Sequence, residues 1–541
     1  MKKKLVALFI AVSISVFSVA QDGVDTVITN VVNAVMLQAA LKDAANNQKP
    51  DIINISAGVL DISNLNDPLY YFPDSRPKNI PEENMPLWII GAGIGKSVID
   101  GGNKNSILDI YTYQLHKDMA ANITVQGITF RNSKPGSMGH ALAIATGKAN
   151  IRIINCEFIN CHGNNGGTIT AVAGDVESPG NISIVNCSFT DNYAGIETSS
   201  NALTLIEECT FRNTKDNPAI KGASKSGPFE ILDCIFENNN SAVSGFLSEG
   251  GTIEVSGCTF TGNYGAVDVE GIESTFKIHG NSFENNSALE GGALRASIVY
   301  SGNFSLRNNS FRNNSSVNDG GAAYIYSSSI ESLNRYDVNA KISIVNNIFE
   351  SNSTSVEGGG LRMETHMGAI ELINNTFAFN KTRQCDEGAA LSIFLSDNSA
   401  TAALYNNIFW GNRCNTSPGI DLLIDTDWQA KHTSTVPDGI GAGVELSHNI
   451  FSKDNITVPT SVKRTSNQNS DPLFGDSLRL SSESPAIDAG INDAWGPIGQ
   501  NSNKDYEGKE RIQDGDGNGS DIIDIGAIEF QGGTPIKHSI L

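Results

Sequence analysis

Residues 283–295 read FENNSALEGGALR, and the phrase returns with small edits as FRNNSSVNDGGAAY at 311–324 and FESNSTSVEGGGLR at 349–362. A phrase restated at intervals marks a stacked repeat, in which one copy cannot bury its apolar face alone and needs its neighbours to do so. Aligning on the phenylalanine extends the series in both directions. GITF at Phe130 is followed by NCEF, NCSF, ECTF, DCIF, GCTF, GNSF, NNSF, NNIF, NNTF, NNIF and HNIF, ending at Phe451, in steps of mostly about 22 to 32 residues. Apolar residues alternate just before each phenylalanine, as in ISIVNCSF from Ile182 and ISIVNNIF from Ile342, which is the period-two pattern of strands. Gly, Asn and Ser fill the gaps and supply the turns. Several short strands per repeat, stacked about 4.8 Å apart, give an all-β chain folded as a right-handed parallel β-helix.

The edits obey a coil logic. Two places before each Phe stand Cys156, Cys187, Cys209, Cys234 and Cys258, then Asn281, Asn309, Asn347, Asn375, Asn407 and Asn449. Thiols there serve as core filler, whereas buried asparagines must bond to neighbouring amides or backbone. A second column, Asn192, Asn239, Asn263, Asn286, Asn314, Asn352, Asn380 and Asn412, follows Phe by three, with Cys161 in the same place. It is expected to hold left-handed bends at a corner and to bond along the stack. Cys385 and Cys414 lie off the ladder on consecutive coils and either stay free or form a disulfide. No histidine spacing suggests zinc.

The start, MKKKLVALFIAVSISVFSVA, has the basic, apolar and small-residue parts of a secretory signal peptide, and nothing after it has the length and apolarity of a membrane helix. The expected parts are residues 1–20 as leader, 21–62 as cap and first strand, 63–455 as repeats and 456–541 as a C-terminal module. With net charge −22 the surface disfavours nucleic acid and favours solubility and divalent cations. The expected location is outside the cell, secreted or on a bacterial surface.

FxxN followed by GGA, explicit at Phe283, Phe311 and Phe349, resembles the repeat of the chlamydial polymorphic outer-membrane proteins, a family of surface passengers that includes adhesins. MLQAALKDAANNQKPDIINISAGVLDIS from Met36 and LWIIGAGIGKSVIDGGN from Leu87 resemble the helical cap and opening coil of pectin-lyase-like β-helices. SDPLFGDSLRLSSESPAIDAG, DYEGKER and DIIDIGAIEF, between Ser470 and Phe530, resemble the choice-of-anchor Q terminus of secreted β-helix proteins; only QGGTPIKHSIL follows.

Function is sought where the copies differ. The residue after each short aliphatic of the GGAL position should face outward, and that column reads Thr170, Glu197, Lys221, Ser244, Asp268, Arg295, Tyr324, Arg362, Ser392 and Asp421. Glu270, Ser297, Tyr326, Glu364 and Phe394 share its face two residues on. Three readings remain open. Alternating charges stabilise an inert stacked sheet. Alternatively Lys221, Tyr324, Tyr326, Arg362, Glu364 and His366 bind a glycan, with rings for stacking and guanidinium groups for carboxylate or sulfate. As a third reading, Asp268, Glu270 and Arg295 form a catalytic set for a polysaccharide lyase or glycoside hydrolase acting on an acidic polysaccharide. Binding of extracellular carbohydrate or another surface polymer, in an adhesin-like role, is the leading expectation; a passive structural spacer is the third.

Two acidic features suggest Ca²⁺. Asp514, Asp516 and Asn518 alternate with glycine, and Asp521 and Asp524 could complete a Ca²⁺ shell that lacks the closing Glu of an EF-hand; a solvated acidic turn is the alternative. Glu290, Asp319, Glu357 and Glu387 precede the glycines on four consecutive coils and need water, basic partners or Ca²⁺ to offset their repulsion.

Overall fold

The computed structural model describes residues 25–72, 85–112, 121–134, 139–163, 167–174, 179–328, 340–385, 387–397, 399–415, 417–426, 443–452, 456–459, 462–499 and 503–532. The expected leader lies outside them. No helix among the described residues is long and apolar enough to cross a membrane. The chain divides into two units, residues 1–188 and 189–541.

In the first unit, strands Val27–Val31, Asp51–Ile55, Leu87–Gly91, Ile123–Gln126, Ile151–Ile154 and Ile182–Val185 stack in parallel as one sheet. A second sheet runs from Leu69–Tyr71 to Ile169–Ala173, and a third from Gly58–Asp61 to Glu157–Ile159. Each coil takes one strand from each sheet, and alternate residues such as Ile151 and Ile153 are fully buried. The expected cap helix spans Ala34–Ala44; Asn33 starts it by accepting the Met36 N–H at 2.9 Å, and Leu37, Ala40, Leu41 and Ala44 are buried. The cap also holds a strand that the sequence reading missed, Val27–Val31. Only Val31 of its residues is buried, so its alternation is weak.

The second unit repeats the three-sheet coil through ten strands of its longest sheet, Thr204–Glu207 to Lys463–Thr465. Phe189, Phe211, Phe236, Phe260, Phe283, Phe311, Phe349, Phe377, Phe409 and Phe451 stack at the core, successive rings lying between 4.5 Å and 5.1 Å apart. Within 2° of parallel at several steps, each ring covers the next. In the GGAL phrase, Gly291, Gly320 and Gly358 adopt left-handed backbone, with φ of 55°, 65° and 66°. The following Gly292 has no room for a Cβ, which would run into the Gly321 carbonyl oxygen of the next coil.

The polar columns are buried. Asn281 gives its amide to the Val255 carbonyl at 2.8 Å and to Asn309 Oδ1 at 3.0 Å, and the pattern continues through Asn347, Asn375, Asn407 and Asn449. Cysteines at the same place reach a carbonyl of the preceding coil through sulfur, as Cys258 does to Ile231 at 3.5 Å. The six ladder-type cysteines are buried thiols outside any disulfide, and burial pushes the Cys161 thiol up to about 12. Cys385 and Cys414 are joined by a disulfide with Cα atoms 4.9 Å apart.

One expectation is corrected: the second Asn column does not make the left-handed bend. The preceding residue does, as at Asn238, Asn285, Asn313, Ser351 and Phe379, with φ near 55°. That frees Asn286, Asn314 and Asn352 to point inward and bond along the stack.

The C-terminal residues 472–499 and 503–530 lie along the outside of the coils. Ile348, Ile408 and Ile450, the outward residues just before Phe349, Phe409 and Phe451, are buried beneath Leu478, Leu480, Ala486, Ile525, Ala527 and Ile528. Left-handed asparagines hold the module by its backbone. Asn346 donates to the Lys504 carbonyl, Asn374 to that of Asp524, and Asn406 to that of Ile491. Arg511, fully buried, ties the module together through Glu529 at 2.9 Å and the Gly526 and Ala527 carbonyls, and donates to Asn346 Oδ1 at 2.8 Å.

Candidate functional site

The register sets Glu197, Lys221, Ser244, Asp268, Arg295, Tyr324, Arg362 and Ser392 side by side on successive strands of one sheet. Thr170 occupies a strand of the first unit, beside Ala143. Asp421 leaves the column. A register shift between Gly388 and Leu391 sets Ser392 against Leu423, and Asp421 turns inside to accept the Asn412 amide at 2.9 Å and the Ser452 N–H at 2.7 Å.

Burial pushes the Asp421 carboxyl up to about 7. A folded-state value above the unfolded one means that the folded chain keeps a proton the unfolded chain has lost, so this group's contribution falls as pH rises from about 4 to 7. The thermal midpoint should therefore be higher at pH 5 than at pH 8, by the equivalent of up to about 2.5 kcal/mol. Asp421→Asn, which cannot ionise, should flatten that slope in a scanning-calorimetry series across pH.

Two residues along, Phe246, Glu270, Ser297, Tyr326, Glu364 and Phe394 form a second outward column. Phe246 was not foreseen, although it lies one coil before Glu270 at the same phase; with 42% of its surface exposed it is the most open ring of the strip. Tyr324 and Tyr326 sit 5.2 Å apart on one strand with their planes 28° apart. Burial, with Glu364 nearby, pushes the Tyr324 phenol up, so it stays protonated.

The cations are spent within the strip. Arg295 meets Asp268 at 3.0 Å and Glu290 at 3.5 Å, donates to the Tyr326 hydroxyl at 2.5 Å, and lies over the Tyr326 ring. Arg362, expected to be exposed and available to a ligand, is only 4% exposed. It is held by Glu357, by Glu364 at 3.0 Å and by the Ser392 hydroxyl, beneath Phe394. Burial alone would lower its pKa, but Glu357 and Glu364 outweigh that and raise it. Lys221 pairs with Glu197 at 2.9 Å. Two members of the acidic column find basic partners, Glu290 facing Arg295 and Glu357 facing Arg362. Asp319 accepts the Glu357 N–H at 3.1 Å, and burial raises its carboxyl. Asp268, Glu270 and Arg295 do lie together, the carboxylates two residues apart on one strand. His366 is elsewhere, past the strand end, bonded to Ser396 Oγ at 2.9 Å.

The C-terminal acidic run closes differently from its expected pattern. Carboxylate oxygens of Asp488, Asp514 and Asp516 converge, and these are the residues able to hold a cation. Asn518 and Gly519 fold back on Asp514 through their N–H groups. Asp524 is buried and turned away, accepting the Asp488 and Phe530 N–H groups, and Asp521 is exposed outside the group. A groove of about 590 Å³ is lined by 504–508 and the coils at 257–282; there Lys504 pairs with Glu510, Glu507 with Arg479, and Asp505 accepts the Lys509 and Glu529 N–H groups. The first unit has a separate His140–Asp109 contact, 17% and 20% exposed, that no repeat phrase signals.

A family model described as the right-handed β-helix region matches residues 115–283. The fold is a right-handed parallel β-helix. Among solved structures, the PL6 family alginate lyase AlyGC aligns at 10% identity with TM-score 0.29, covering 82% of this chain and 80% of that one. A point mutant of the same enzyme aligns equally at TM-score 0.28, with the same identity and coverage. No curated protein matches the chain.

Proposed function

We propose that the protein is an extracellular carbohydrate-binding β-helix, and that a polymer lies on the strip from Phe246 to Phe394. The observation that supports this most is the recurrence of outward rings along the stacking direction. Tyr326 follows Phe246 by three coils, about 14 Å, and Phe394 follows Tyr326 by two, about 10 Å. Such rings offer flat apolar faces to sugar C–H groups, and the hydroxyls and carboxylates between them offer hydrogen-bond partners. Parallel stacking fixes their spacing without any loop. The ion pairing favours binding over cleavage, because Asp268 and Arg295 engage each other.

Affinity electrophoresis through gels containing soluble polysaccharides tests the proposal. Wild type should be retarded, and Phe246→Ala with Tyr326→Ala should weaken retardation about tenfold or more, at roughly 1 kcal/mol per ring. Unchanged retardation in the double variant would sink it. New reducing ends or absorbance at about 232 nm from an unsaturated uronate would favour the cleaving alternative instead.

A further inference from the structure

The same strip carries a charge pattern that narrows the ligand. Between Phe246 and Phe394 the outward face and its adjoining turns hold the carboxylates Asp268, Glu270, Glu290, Asp319, Glu357 and Glu364 against the guanidinium groups of Arg295 and Arg362. Each guanidinium already has two carboxylates, Asp268 and Glu290 on one, Glu357 and Glu364 on the other. Neither is left to neutralise a uronate or sulfate, and a polyanion laid here would face surplus negative charge. The Arg362 guanidinium, expected to receive such a group, is taken up instead by Glu357 and Glu364.

What remains open is negative. Glu270 has no hydrogen-bond or ion-pair partner among the described residues, and it stands directly across from Phe246 on the adjacent strand. Asp268, on the same strand and face, keeps half of its side chain exposed. An ammonium group placed against Glu270 would meet a carboxylate on one side and the face of an exposed ring on the other, the two features that attract a cation at a surface. Resting on the carbohydrate reading above, we infer that the ligand is a glycan bearing free amino groups, with Phe246, Glu270 and Asp268 as the subsite for one of them.

The test compares one chain length in three chemistries by calorimetry: a chitosan oligosaccharide, the same oligosaccharide after re-N-acetylation, and an oligogalacturonate. The amino form should bind about tenfold more tightly than the acetylated form at low ionic strength, with the oligogalacturonate weakest. About 0.5 M salt should shrink the preference, because exposed charges are screened. Glu270→Gln should reduce it about threefold to fivefold, whereas Glu483→Gln, an exposed acid on the C-terminal segment, should leave it intact. Equal affinity for amino and acetylated forms, tightest binding of the oligogalacturonate, or a preference untouched by Glu270→Gln would overturn the inference while leaving carbohydrate binding in place. No binding of any of the three would overturn the carbohydrate reading itself.

Discussion

Replacing Asn314 by alanine should destabilise its coil by about 4 kcal/mol, the largest effect expected from removing one uncharged side chain here. The Asn314 amide donates to the Phe283 carbonyl and to Asn352 Oδ1, while its oxygen accepts both the main-chain and side-chain N–H groups of Asn286. Alanine leaves the Phe283 carbonyl and the Asn286 N–H buried without partners, at roughly 1–3 kcal/mol each. It also leaves a void between stacked coils. Because each coil depends on its neighbours, the loss should appear locally as well as in the thermal midpoint. Hydrogen exchange at the Asn286 amide should speed up by about two to three orders of magnitude when opening there becomes easier. Asn318→Ala, at an exposed turn, should stay within about 0.5 kcal/mol of wild type. Equal behaviour of the two variants would mean that the asparagine column is ornament rather than frame.

Arg511→Ala should release the C-terminal module. Its guanidinium is wholly buried and makes four hydrogen bonds, one of them to Asn346 on the coils. Removing it strands the buried Glu529 carboxylate, a loss of about 3–5 kcal/mol. Burial already raises the Glu529 carboxyl against the pull of Arg511, so without the arginine it would take up a proton or force the segment open. Detachment would uncover Ile348, Ile408 and Ile450, and limited proteolysis should then cut between 463 and 530 under conditions where wild type resists. Arg511→Met combined with Glu529→Gln removes both charges and should restore much of that resistance. Cleavage of the double variant as fast as Arg511→Ala would show that packing, rather than charge, holds the module.

The coil was legible because its physics repeats. A ring, a buried amide and a pair of glycines recur in fixed order, so period and phase gave the strands, the ladders and the outward columns down to individual residues such as Arg295 and Tyr324. Legibility ended where repetition did. Asp421 seemed to continue the outward column, but the bulge after Gly388 changed phase by an amount no spacing announces. Arg362 is outward by register yet buried, because Glu357 from the preceding turn and Phe394 from the next strand close over it. The module's docking face did leave a trace. The residue before the core Phe is Ser at 282 and 310 but Ile at 348, 408 and 450, where it lies under the C-terminal segment. Phe246 was equally visible, one coil upstream of where the column was begun. The convergence of Asp488 on Asp514 and Asp516 joins residues far apart in sequence, and only the folded chain brings them together.

We propose that the repeated residues build the coil while the edited outward rings meet the ligand. Hydroxyl-radical footprinting in the presence and absence of a retained polysaccharide measures that directly, because ring oxidation reports access side chain by side chain. Phe246, Tyr324, Tyr326 and Phe394 should be protected, with exposed rings off the strip, such as Tyr264 and Phe379, oxidised equally in both samples. Protection at Tyr264 or Phe379 with the strip unchanged would contradict it.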